Sequence, residues 1–134
     1  MLGKRKIRKN TFELLFGYEF NKEEQAEEYF NRAYDNFSCE DDENESVKKL
    51  FLNICDKIEV IDEMISKYLQ GWKINRLSKA TITILRISTY EMAFENLSPS
   101  ISINEAVELA KKYCEEKAPG FINGVLNNLA KELQ

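Results

Sequence analysis

The segment from about Leu77 to Glu95 is apolar on several sides and contains neither glycine nor proline. A helix that is apolar nearly all round belongs at the centre of a bundle, because every side must be covered by another element. The whole chain has only two prolines and five glycines, and its apolar residues recur at intervals of three and four. These features predict an all-α protein of about seven helices in two small bundles packed together.

Caps and charge runs predict where the earlier helices begin. The first helix is expected from about Lys4 to Phe20, and Asn21 with Glu24 has the spacing of a capping box that starts the second. The acidic run Glu40–Glu45 is expected to be a solvated loop. The third helix is then expected to start near Glu45–Ser46.

The boundaries of the later helices are predicted from the same kinds of signal. A weak break is expected near Asp56–Glu59, and Gly71 ends the fourth helix, with Trp72 packing back on it. Ser102 and Glu105 form a second apparent capping box, which predicts the start of the sixth helix.

Pro119 and Gly120 mark a break before the last helix. The apparent division of the chain falls near Gly71–Asn75. It gives an N-terminal subdomain of about residues 1–72 and a C-terminal subdomain of about residues 73–134, within a single domain spanning 1–134.

Several function classes are disfavoured by composition. The chain has no histidine, which removes histidine acid–base catalysis and imidazole metal sites. Its cysteines, Cys39, Cys55 and Cys114, form no C-x-x-C pair and are expected to be buried free thiols in a reducing cytoplasm. No apolar run is long enough for a membrane span, and Glu13 and Glu19 interrupt any signal-peptide pattern.

No catalytic constellation, cofactor motif or metal site is predicted. Phosphate-binding glycine loops and nucleophile-elbow motifs are absent from the sequence. Arg86 and Glu91 stand out as charged residues in the apolar central helix. They lie five apart, which is poor spacing for a pair within one helix, so each is expected to reach another helix in a structural role.

Positive charge is concentrated at the start of the chain, in a basic segment made of Lys4, Arg5, Lys6, Arg8 and Lys9. The whole chain carries −4, so removing these five charges leaves −9 on the other residues. Local potential rather than net charge attracts a polyanion, and such a segment can bind phosphates with salt-sensitive affinity. The alternative is a solubilising, frayed terminus.

Other residues extend this candidate surface. Lys73, Arg76 and Lys79 surround the start of the fifth helix, and would join the basic segment if the two helix starts lie side by side. Phe12 and Phe16 are candidates for stacking on RNA bases, although aromatic residues at helical spacing also form cores.

Three motifs in the later half resemble the NusB family of bacterial transcription antitermination factors. They are ILRISTYEM at 84–92, INEAVELAKKY at 103–113 and FINGVL at 121–126. The opening basic helix and Trp72 followed by Arg76 also match the family. Order, spacing and length agree, so the resemblance covers nearly the whole chain.

This resemblance implies a non-enzymatic, cytoplasmic protein without a cofactor. It implies binding of boxA-type RNA from ribosomal RNA leader transcripts, together with the small-subunit ribosomal protein NusE, in an antitermination complex on RNA polymerase. Some relatives self-associate through the partner surface, which leaves a homodimer open. The residues implied for RNA binding are Lys4, Arg5, Lys6, Arg8, Lys9, Phe16, Arg76 and Lys79, and those for partner binding are Phe12, Phe16, Ser78 and Thr81.

Some motif residues are interpreted structurally. Glu105 is expected to cap the sixth helix, Asn123 to satisfy a helix end, and Gly124 to permit close helix packing. Two other functions are weighed against RNA binding with NusE. One is a protein-only helical adaptor. The other is the NusB-like RNA-binding module of a ribosomal RNA methyltransferase, although this chain shows no cofactor-binding αβ region.

Overall fold

The computed structural model describes residues 2–34 and 41–133, and the chain divides into two compact units between Asp56 and Lys57. The described residues form seven α-helices and no strand, which confirms the all-α prediction. The helices are α1 (Leu2–Tyr18), α2 (Ala26–Ala33), α3 (Asp41–Asp56), α4 (Ile58–Ser66), α5 (Lys79–Phe94), α6 (Pro99–Tyr113) and α7 (Ala118–Leu133), with a 3₁₀ turn at Ile74–Arg76.

The first unit, residues 1–56, is held together by aromatic rings. α1 packs against α3, and α2 contacts both. Phe51 of α3 is fully buried, and its ring centroid lies 5.7 Å from that of Tyr18, 6.2 Å from Tyr29 and 5.9 Å from Phe30. Ring pairs at these separations add favourable contacts to the hydrophobic burial, so one residue of α3 ties together side chains from all three helices.

The predicted capping box of Asn21 and Glu24 is wrong. α2 begins at Ala26, and the preceding Gln25 makes no side-chain cap. The Glu24 carboxylate instead accepts hydrogen bonds of 3.2 and 2.6 Å from Arg32. A charge-assisted, two-point contact with a guanidinium is stronger than a bond to a backbone N–H, which explains why the box does not form.

The acidic run also differs from its prediction as a loop. α3 begins at Asp41, so residues 41–45 form its first turns, while Glu40 and Cys39 lie outside the described residues. Acidic residues at a helix start are favoured by the helix dipole, which offsets their mutual repulsion.

The second unit, residues 57–134, is built around α5, as predicted. Every residue from Thr81 to Met92 is buried, and α4, α6 and α7 all pack against this helix. The predicted break near Asp56–Glu59 is confirmed at Lys57, between α3 and α4. Because α4 packs on α5, the boundary between units precedes α4, whereas the sequence placed the division near residue 72.

Arg86 and Glu91, the buried charged residues of α5, do reach other helices. Arg86 donates Nε–H and Nη2–H to the Asp62 carboxylate of α4, both at 2.8 Å. Ser102 of α6 donates to Glu91 Oε1 at 3.1 Å, and its hydroxyl lies 2.7 Å from that of Ser88. Both contacts connect α5 to a neighbouring helix, so the structural interpretation of Arg86 and Glu91 is confirmed.

The second predicted capping box is wrong as well. α6 begins at Pro99, and Ser102 is buried inside the helix rather than at its end. Proline suits a first helical turn because its φ is already set and its missing N–H has no helical partner. The same reason places Pro119 inside the first turn of α7, which begins at Ala118.

Three other local expectations fail. Trp72 follows the turn that Gly71 makes at φ 91°, but the ring is 60% exposed rather than packed back on α4. Gly124 lies on the exposed side of α7, and a Cβ built there would meet no atom within 4 Å, so close packing does not require glycine. Asn123 is in mid-helix, where its carbonyl and side-chain oxygens accept bonds from Asn127.

Candidate nucleic-acid interface

The basic segment forms the first turns of α1, in the first unit. Lys4, Arg5, Lys6 and Lys9 are exposed. No acidic residue lies in the first turn of this helix, although the positive end of the helix dipole would favour one there. The local field is therefore positive from both the side chains and the backbone, which favours an anionic ligand.

Arg8 differs from the other four cations. Arg8 is only 7% exposed, and the buried residues Asn10, Thr11 and Phe12 lie in the next turn of the helix. Phe12, predicted to contact a partner, is 2% exposed and offers little surface to any ligand. The structure therefore presents four of the five predicted cations at the surface and encloses the fifth.

An aromatic row continues along α1 beyond the basic segment. The rings of Phe12 and Phe16 are stacked with centroids 5.9 Å apart, and Phe16 meets Phe20 edge-on at 5.3 Å. Phe16 is half-buried, whereas Phe20 is 63% exposed. Phe20 is not among the predicted site residues, although its spacing of four from Phe16 places it on the same row.

The second unit contains a cavity of about 380 Å³ at the start of α5, here called the groove. Arg76, Ser78 and Thr81, three residues predicted for RNA or partner binding, all line it. Lys79 is exposed at the first position of α5. The complete lining is Trp72, Arg76, Leu77, Ser78, Thr81, Glu115, Lys117, Ala118 and Phe121.

Local hydrogen bonds position the lining. Ser78 is the N-cap of α5, and its Oγ accepts from the Thr81 backbone N–H at 3.1 Å. The Ser78 hydroxyl donates to Thr81 Oγ1 at 2.9 Å, and Thr81 Oγ1 donates to Cys114 Sγ at 3.8 Å. This chain of contacts fixes the segment after α6 beside the start of α5. Thr81 is only 5% exposed, so its main role in the structure is this connection.

Charges of both signs surround the groove. Arg76 and Lys117 contribute cations, and Glu115 contributes a carboxylate. Burial raises the pKa of the Cys114 thiol above its ordinary value, the Thr81 hydrogen bond lowers it, and the Glu115 charge raises it again. The thiol is therefore held in its neutral form beside the groove.

Six residues of this groove were not predicted as site residues, and four of them are aromatic or charged. Trp72, Glu115, Lys117 and Phe121 come from separate segments, and only folding places them around one cavity. The signal that was available is Trp72, since a tryptophan close to Lys73 and Arg76 combines a stacking surface with positive charge. The basic segment and the groove are described in separate units, and their union into one surface stays a prediction.

The described part of the chain contains neither a metal-binding cluster nor a membrane-spanning helix. Within residues 2–34 and 41–133, no group of three or more cysteine, aspartate or glutamate side chains is arranged to hold a metal ion. In the same ranges, no helix has the length and apolar character needed to cross a membrane.

The sequence comparisons with known proteins all identify the same family. A sequence model described as "NusB family" matches residues 5–131. The transcription antitermination protein NusB of Clostridium novyi is 43% identical over 137 residues, covering 97% of this chain and 99% of that protein. NusB of Ruminiclostridium cellulolyticum is 40% identical over 131 residues, covering 97% of this chain and 90% of that protein.

Solved structures agree with the sequence relatives. A structure of T. maritima NusB has a TM-score of 0.87 at 34% identity, covering 96% of this chain and 90% of that one. A structure of antitermination factors NusB and NusE in complex with dsRNA has a TM-score of 0.85 at 30% identity, covering 98% of both chains.

Proposed function

The chain belongs to the NusB family of transcription antitermination proteins, and on that premise we propose that it binds boxA-type RNA together with the ribosomal protein NusE. The RNA is the leader of ribosomal RNA transcripts, and the assembly acts on RNA polymerase in the cytoplasm. A similar chain has been solved with NusE and dsRNA, which supports both kinds of partner.

The observation that carries the proposal is the exposure of Lys4, Arg5, Lys6 and Lys9 on the first turns of α1. Each phosphate that these cations neutralise releases condensed counterions, which provides a favourable and salt-dependent free energy of binding. The exposed Arg76 and Lys79 at the start of α5 provide further positive charge in the second unit.

The negative charge outside the basic segment gives a physical reason for binding NusE together with RNA. Outside the basic segment the chain carries −9, which opposes the approach of RNA. A second protein that contributes positive charge and contact area would overcome that repulsion, so RNA and NusE should each strengthen the binding of the other. This mechanism positions molecules without making or breaking bonds, and we propose no enzymatic activity.

The test is a titration of labelled boxA-type leader RNA with the full chain, with and without NusE. The expected result is weak binding by the chain alone, tighter binding with NusE, and weaker binding of an RNA with the boxA bases shuffled. Equal affinity for both RNAs would contradict the sequence preference.

The same titration separates the alternatives. Binding of NusE without any RNA binding would instead support the protein-only adaptor. Sedimentation of the free chain at several concentrations tests self-association, and NusE should dissociate any homodimer if both use one surface.

A further inference from the structure

We propose, building on the RNA-binding function above, that the start of α3 competes with RNA for the basic segment inside the same chain. The competing residues, here called the acidic turns, are Asp41, Asp42, Glu43 and Glu45. Their negative charge offsets the positive charge of the basic segment, so RNA phosphates gain less on binding. Tight binding then requires contacts beyond charge, such as those to the boxA bases and to NusE.

The packing of α1 on α3 sets which ends of the two helices are neighbours. The ring of Tyr18, the last residue of α1, lies 5.7 Å from that of Phe51, and α3 extends ten residues before Phe51 but only five after it. α3 is the main packing partner of α1 within the first unit, and Leu14 and Val47, one turn before these rings, are both buried. Antiparallel helices in this register would separate after little more than one turn. The two helices therefore run in the same direction.

This register brings the acidic turns to the level of the basic segment. Counting back ten residues, or about 15 Å, from the aromatic contact reaches Arg8 in α1 and Asp41 in α3. Packed helices have axes about 8–10 Å apart, which is close to the Debye length of about 8 Å at physiological salt. Charges on the two helix starts therefore influence one another. Arg5 and Lys6 already take part in interactions within the chain, so RNA does not meet them as free cations.

The charges of the two helix starts nearly cancel. Residues 4–9 carry five positive charges, and residues 41–46 carry four negative charges and no positive one. The acidic turns are also stable where they lie, because the dipole of α3 favours carboxylates at its start. Their effect is to lower the local positive potential, which is the quantity that attracts a polyanion.

A lowered potential reduces binding to RNA of every sequence. Attraction between cations and phosphates does not depend on the bases, and it supplies most of the non-specific affinity of a nucleic-acid-binding protein. Contacts to boxA bases and to NusE lie outside this term and keep their strength. Because a cell offers many competing RNAs, a chain with weak non-specific binding stays free for the complete assembly.

The test compares two double variants that change the net charge equally. Asp42→Asn with Glu45→Gln removes two carboxylates of the acidic turns. Glu23→Gln with Glu28→Gln is the matched control, since both residues are exposed and lie near the opposite end of α1 from the basic segment. The natural chain and both variants are titrated with boxA-type RNA and with RNA whose boxA bases are shuffled, at about 0.05 M and about 0.5 M salt.

The expected result is a gain in affinity that depends on position and on salt. At low salt the Asp42 and Glu45 pair of substitutions should strengthen binding of shuffled RNA about fivefold, and the control pair less than twofold. Both effects should vanish at high salt because the charges are screened. With Arg5→Gln and Lys9→Gln also present, the gain should fall below about twofold, since much of the opposing charge is gone.

Helix content is measured by circular dichroism for every variant. Glu45→Gln alone replaces the pair if the double substitution perturbs α3, because Glu45 is exposed and lies beyond the first turn. Its expected gain for shuffled RNA at low salt is about twofold.

The contrary outcomes are distinct. Equal gains from the two pairs of substitutions would show that net charge rather than position governs binding, and would overturn the proposal. RNA binding that is unchanged by loss of the acidic turns overturns the competition but leaves the RNA-binding function intact. Failure of the natural chain to bind boxA-type RNA even with NusE overturns both. Weaker binding of NusE to the Asp42 and Glu45 variant, measured without RNA, would assign the acidic turns to the protein partner instead.

Discussion

Arg86 and Asp62 form a two-point ion pair that joins the centre of α5 to α4. Both hydrogen bonds are 2.8 Å long, and the side chains are 8% and 23% exposed. A bidentate guanidinium–carboxylate contact in a mostly buried position fixes orientation as well as distance. Neither partner can leave without placing a charge in the core of the second unit.

Replacing Asp62 should therefore be costly. Asp62→Ala is expected to lower the free energy of unfolding by about 2–3 kcal/mol, somewhat less than for a fully buried pair because Asp62 is partly solvated. Chemical denaturation measures this. Glu132→Ala is the control, since Glu132 and Lys67 are more than half exposed and 3.9 Å apart, and its effect should be within about 0.5 kcal/mol. Equal losses in the two variants would contradict this account of the Arg86 pair.

Gly17 and Gly124 should respond in opposite ways to alanine. A Cβ on Gly17 would collide with the Tyr29 hydroxyl, so Gly17→Ala is expected to destabilise by about 1 kcal/mol despite the better helix propensity of alanine. Gly124→Ala has open space and should stabilise by about 0.5–1 kcal/mol. Thermal unfolding checks both. Adding Tyr29→Phe should recover much of the Gly17→Ala loss, and a lack of recovery would rule out the collision as its cause.

The salt dependence of RNA binding should show which of the exposed cations contact phosphates. Arg5→Ala and Lys9→Ala are each expected to weaken boxA-type RNA binding and reduce the slope of log affinity against log salt by about 0.7. Lys49→Ala, an exposed cation of α3 in the same unit, should leave the slope unchanged. Arg8→Ala should instead lower the melting temperature, because its side chain is enclosed. An undiminished slope in both basic-segment variants would contradict their phosphate contacts.

The Cys114 thiol should react slowly with alkylating agents. Its pKa is raised by burial above the ordinary value of 9.0, so at a mildly alkaline pH less thiolate is present than in an unstructured peptide. Glu115→Gln should lower the pKa and speed alkylation, and Thr81→Val should do the reverse. Peptide mapping across a pH series distinguishes Cys114 from the other two cysteines. Because the unfolded thiol ionises first, this group also contributes a loss of stability as pH rises through its unfolded pKa.

The central position of α5 could be predicted from sequence because the evidence is local to one segment. The apolar character of residues 77–95 requires burial on all sides whichever helices cover it. The two helix starts were mispredicted because capping also depends on distant residues. Glu24 is engaged by Arg32, and Ser102 by Ser88 and Glu91, and none of these partners is visible in a four-residue motif.

The candidate interface was likewise only partly predictable from the sequence. The basic segment is continuous in sequence, so its charge was evident, but the enclosure of Arg8 depends on tertiary packing. The groove was not predicted because its lining is drawn from residues 72–81, 115–118 and 121, which approach one another only after α5, α6 and α7 have packed.

The hydroxyl and carboxylate cluster of Ser88, Glu91 and Ser102 restricts how α5 and α6 can slide along each other. A shift of one helical turn, about 5.4 Å, would separate the Glu91 carboxylate from the Ser102 hydroxyl and leave both groups without this hydrogen bond in an otherwise apolar core. Purely aliphatic contacts would tolerate such a slip far better. These polar contacts thus fix a single register for α5 against α6. That register in turn sets the positions of the residues on the neighbouring surface.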